Sequence, residues 1–97
     1  MQRRKNIDFY LVRMCSGKTA YEALPVRGIK FNRKGVVKAL IDMGYTVEDF
    51  RALIIAKKEI ETTIFPSGRL LIKCEKEENA SREANFIGSV IIANSEI

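Results

Sequence analysis

At 97 residues the chain has the length of one domain, and a domain of this size buries about 60–70% of its unfolded surface around a single core. A hydrophobic content of 46% excludes disorder, and 17 basic against 12 acidic residues leave a moderate charge of +5 that suits a polyanionic partner without specifying one. Histidine is absent, which removes the commonest general base and zinc ligand, so neither an enzyme nor a cofactor site is expected.

The first residues, Gln2 to Lys5, read as a mobile basic tip unlike a signal peptide. No apolar run is long enough for a membrane span, and a cytoplasmic location is expected. From Asn6 to Cys15 the pattern is that of a strand, with Ile7, Phe9 and Leu11 on one face and Asn6, Asp8, Tyr10 and Val12 on the other. Ser16-Gly17-Lys18-Thr19 has the ending of a phosphate-binding loop, but the glycine needed five residues before Gly17 is Val12, so backbone amides cannot wrap a phosphate there. The segment reads instead as a turn, with Ser16 or Thr19 capping a short helix through Tyr21–Leu24 that Pro25 stops. Val26 to Phe31 is a loop or a strand interrupted at Gly28.

Asn32 offers an N-cap to a helix from Arg33 to Met43, striped by Val36, Val37, Leu40 and Ile41, with Gly44 placed for a left-handed C-terminal stop. Its other side carries Arg33, Lys34 and Lys38. Thr46 to Lys58 has two readings. Thr46 with Asp49 resembles a helix start, and Val47, Phe50, Leu53, Ile54 and Lys57 follow a helical spacing; the Leu53-Ile54-Ile55 run favours a turn followed by a strand.

Three strand-like runs then form a meander: Ala52 to Ala56, Glu59 to Phe65 and Arg69 to Glu75. Phe65-Pro66-Ser67-Gly68 suits a type I turn that sets Phe65 against Arg69. Ile60, Thr62 and Ile64 then share a core face with Leu70, Ile72 and Cys74, while Glu61, Thr63 and Phe65 share the other with Arg69, Leu71 and Lys73. If Lys57-Lys58 is a two-residue turn, Phe50 lies opposite Phe65 and two aromatics meet on the outer face, with Arg51 and Lys57 on the core side. Beyond Lys76-Glu77-Glu78-Asn79, Ala80, Ala84, Ile87 and Ile91 stripe a helix that ends near Ala93. Cys15 and Cys74 lack partners and read as buried reduced thiols. The element order predicts an α+β domain spanning residues 1–97, in which an antiparallel sheet of about four to five strands carries helices on one face.

From Phe50 to Ala84 the chain resembles a single half-repeat of the TATA-box-binding protein family. Thr62-Thr63-Ile64-Phe65-Pro66-Ser67-Gly68-Arg69-Leu70-Leu71 is similar to that family's hairpin, Asp49-Phe50-Arg51-Ala52-Leu53-Ile54 to the strand before it, Glu77-Glu78-Asn79-Ala80 to the start of its long helix, and Asn6-Ile7 to the opening of its first strand. The resemblance implies a curved sheet whose open face lies on the DNA minor groove, where phenylalanines wedge between base pairs and kink the duplex by about 80°. Carried over, Phe50 and Phe65 are the wedges, Leu71 an apolar groove contact and Asn6 a polar groove reader. Arg69, Lys73, Arg51 and Lys57 are candidate phosphate contacts. The family's saddle consists of two half-repeats, so a homodimer or a protein partner is implied. A transcription-related, double-stranded-DNA-binding role follows from the resemblance, and a protein-interaction module whose sheet face is covered by a partner is the other function expected. Glu59 and Glu61 place negative charge on the same face.

Overall fold

The computed structural model describes residues 10–14, 20–26 and 28–95, with the backbone alone for 10–14. Six strands and two helices follow in the order β1 (Tyr10–Met14), β2 (Tyr21–Pro25), α1 (Arg33–Asp42), β3 (Thr46–Asp49), β4 (Ile54–Lys57), β5 (Glu61–Ile64), β6 (Leu70–Lys73) and α2 (Glu77–Ala93). The strands form one antiparallel sheet in the order β1-β2-β6-β5-β4-β3. The α+β architecture is the one expected, with six strands in place of four or five. Both additional strands come from segments whose brevity hides their period.

The first of these is Tyr21–Pro25, which is a strand and not a short helix. Tyr21 and Ala23 are buried while Glu22 and Leu24 are only partly so, a period of two that five residues barely express. Pairing on both sides, to β1 and to β6, supplies the hydrogen bonds that local propensity did not promise. The second is Thr46–Asp49, which resolves the ambiguity of Thr46 to Lys58 into two strands, β3 and β4, joined by a tight loop.

α1 ends as its sequence indicates. The side chain of Asn32 accepts the Gly35 N–H at 3.1 Å, and Gly44 takes a φ of +98° that a side chain would resist. Of its apolar stripe, Val36 and Leu40 are buried, Val37 is partly buried, and Ile41 remains 52% exposed. α2 buries Ala80, Ala84, Ile87, Gly88, Val90 and Ile91, and it crosses β1, β2 and β6, while α1 packs on β3 and against α2. The core lies between these helices and one sheet face, formed by Tyr21, Ala23, Ile54, Ala56, Thr62, Ile64, Leu70 and Ile72. Ile60 and Cys74 sit partly buried at its margin; Cys74 is a free thiol, as expected, but only half-buried. Cys15 and the Ser16–Thr19 segment lie outside the described residues, as do the basic tip and Asn6.

The β5–β6 hairpin has the expected register, Ile64 facing Leu70 and Glu61 facing Lys73. Its turn closes through Gly68 N–H to Phe65 O at 2.8 Å and Phe65 N–H to Arg69 O at 2.9 Å, with Gly68 at φ +93°. The β4–β5 connection differs. Its last pair is Lys57 with Glu61, so Lys58, Glu59 and Ile60 all belong to the turn, with Lys58 N–H reaching Ile60 O. Ile54, not Phe50, is the residue near the head of this ladder, and it faces Ile64. The expected pairing is offset by three residues, an odd number that exchanges the two faces of β4. Phe50 therefore does not pair with Phe65, and Lys57 moves from the core side to the outer side.

Candidate nucleic-acid interface

Because both helices cover one side of the sheet, alternation leaves the other side open. In register across it run Glu48, Ile55, Thr63, Leu71 and Glu22, and beside them Thr46, Lys57, Glu61 and Lys73. Ile55, Thr63 and Leu71 are partly buried by their neighbours and form a narrow apolar row. Charges of opposite sign flank it and pair between strands: Lys73 Nζ lies 3.3 Å from Glu61 Oε2, and Arg69 Nη1 donates to Glu22 Oε2 at 2.9 Å. Pairs of this kind contribute about 0.2–1 kcal/mol each on a strand surface.

At the end of the sheet where β5 turns into β6, the Arg69 guanidinium stacks on the Phe65 ring at 4.0 Å from its centre. Phe65 is thus held between its own hairpin and a cation anchored to β2. Phe50 stands at the same end, in the β3–β4 loop, with its side 55% exposed. That loop is tight: Phe50 N–H donates to Leu53 O at 2.9 Å, and Ala52 N–H donates to Phe50 O at 2.7 Å around Arg51 at φ +70°. A non-glycine residue in this conformation costs on the order of 1 kcal/mol, and Asp49 Oδ1 secures it by accepting the Arg51 N–H at 2.9 Å.

Of the residues singled out in the sequence, Phe65, Arg69, Leu71, Lys73 and Lys57 share the open face. Phe50 joins them only at its end. Arg51 turns to the helix side, where it lines a cavity with Arg33 and Phe31. Glu59 lies in the exposed β4–β5 turn, leaving Glu61 as the acid that faces outward from β5. Glu22 was missed in the sequence because its segment looked helical; the alternation of Tyr21 and Ala23 with Glu22 and Leu24 was the signal that would have found it.

On the opposite flank, Tyr45 donates to Glu83 Oε2 at 2.5 Å and stacks on Phe86, with Lys58 Nζ 5.3 Å from its ring centre. Burial, reinforced by the Glu83 carboxylate, pushes the Tyr45 hydroxyl well above the usual phenol range. It therefore stays protonated and serves as a strut between the α1–β3 connection and α2. Among the described residues no cluster of three or more metal-ligating side chains occurs, and no helix is long and apolar enough to cross a membrane. Comparison with family models, with curated proteins and with solved structures returned no match.

Proposed function

We propose that this chain is a DNA-binding module that lays the open face of its sheet on a duplex and acts as a homodimer. The observation that carries the reading is the one-sided cover of the sheet: both helices lie on one face, and the other presents Phe65, Leu71, Arg69, Lys57 and Lys73 together. In this reading the Ile55–Thr63–Leu71 row meets the groove floor, and the lysines and Arg69 meet phosphates. Arg69 exchanges the Glu22 carboxylate for a phosphate, which frees the Phe65 ring to stack or wedge. Phe50, exposed at the same end, adds a second apolar contact; Arg51, on the helix side, takes no part.

A titration of labelled duplex DNA followed by fluorescence anisotropy, at about 50 and 200 mM salt, tests this. Affinity should fall steeply between the two salt concentrations, and Phe65→Ala should weaken binding by about tenfold or more. No binding at the lower salt, or binding indifferent to Phe65→Ala, would sink the proposal. A second reading, a protein partner on the same face, is favoured by the three carboxylates there, Glu22, Glu48 and Glu61. It predicts a stable dimer by sedimentation in which the face is sequestered and duplex DNA does not compete.

A further inference from the structure

The cavity on the helix side, at the N-terminus of α1, has a composition that the sheet face does not explain. Its volume is about 230 Å³. Phe31, Leu53, Ile54, Ile64 and Pro66 form its apolar walls, and two arginines from separate elements complete its lining. Arg33 is the first residue of α1, and Arg51 is the centre of the strained β3–β4 loop.

The charges around it are not balanced. Arg33 Nε lies 3.2 Å from Asp49 Oδ2, shielded from water yet outside hydrogen-bond geometry. Among the described residues the Arg51 guanidinium has no ion-pair partner, while its backbone N–H is held by the same Asp49. Asp49 thus offsets one of two cations. α1 adds to the surplus, because its first turn holds Arg33 and Lys34 and no acid, the reverse of what a helix dipole favours. An arginine whose charge is offset by Asp49, a second arginine without an ion pair and a helix start bearing only cations together leave a positive surplus at the cavity that favours an anion.

We infer that this cavity is a binding site for a small carboxylate with an apolar body, the carboxylate held by Arg51 and Arg33 and the body packed on Phe31, Leu53 and Ile64. A bare phosphate would leave those walls unused. The volume falls below the roughly 300–1,000 Å³ of sites for drug-sized ligands, which limits the body to about one ring. The site lies across the sheet from the proposed duplex surface and stands whether or not that surface binds DNA.

The test is an amide chemical-shift titration of the full chain with sodium benzoate at constant ionic strength, alongside benzamide and inorganic phosphate. Benzoate should shift the amides of residues 31–35, 50–54, 64 and 65 in a saturable manner, with benzamide and phosphate at the same concentrations much weaker. Arg51→Gln, an exposed loop substitution, should weaken the benzoate response by about tenfold, and Lys73→Gln, on the opposite face, should leave it unchanged. The inference is overturned by an absence of shifts at these residues, by an equal response to benzamide or phosphate, or by a response insensitive to Arg51→Gln.

Discussion

Thr62 lies fully buried on the core side of β5, facing Ala56 and Ile72, and its hydroxyl has no hydrogen-bond partner. An unsatisfied buried hydroxyl costs about 1–3 kcal/mol, whereas valine has nearly the same shape and no polar atom. Thr62→Val should therefore raise unfolding stability by about 1 kcal/mol, visible as a higher urea midpoint at unchanged slope. A lower midpoint would show that the hydroxyl is satisfied. Its neighbour Thr63 faces out, between Ile55 and Leu71. Nothing in two adjacent threonines distinguishes them; the distinction came from the Pro66–Gly68 turn, which sets the parity of the whole hairpin and was legible. The place of Phe50 was not legible, because it depends on how many residues the Lys58–Ile60 turn absorbs.

At the scale of elements, the start of α1 is tied to the end of α2. Asn32 N–H donates to Asn94 O at 2.8 Å, Phe31 bridges to Ser95, and the Asn94 side chain donates to Val90 O. Gly35 permits this approach, since a Cβ there would meet Asn94 Oδ1 at 2.3 Å. Alanine in a helix interior is worth up to about 1 kcal/mol over glycine, so the sign of Gly35→Ala turns on Asn94. It should destabilise by about 1 kcal/mol in the natural chain and stabilise in an Asn94→Ala background, a coupling that a double-mutant cycle of thermal or urea unfolding reads directly. Two additive substitutions would contradict the contact. α1 itself was readable from Asn32 and Gly44 because caps are local chemistry. β2 was not, because five residues carry too few periods, and the lower part of the meander slipped by three residues because Lys58-Glu59-Ile60 offers no proline or glycine to mark its turn.

For the molecule as a whole, charge is divided unevenly. Residues 1–27 hold six basic against two acidic residues, a net +4, whereas residues 28–97 hold eleven against ten, a net +1. Among the residues whose side chains are described, the open face is close to neutral, with its lysines and Arg69 set against Glu22, Glu48 and Glu61. If duplex DNA binds that face, the basic excess of residues 1–27 supplies much of the attraction. Deleting residues 1–5 removes Arg3, Arg4 and Lys5 and no acid, and should flatten the dependence of log affinity on log salt by up to about 3 while leaving the effect of Phe65→Ala intact. An unchanged slope would place the phosphate contacts elsewhere. The fold class, both helices, the β5–β6 hairpin and the core face of β5 and β6 were all set locally, by caps, turn residues and alternation acting over a few residues. The identity of the sixth strand, the partner of Arg69, the separation of Phe50 from Phe65 and the cavity between Arg33 and Arg51 were decided by tertiary pairing. Each depends on which residues meet across long stretches of chain, and there a single odd shift in register exchanges the two faces of a strand.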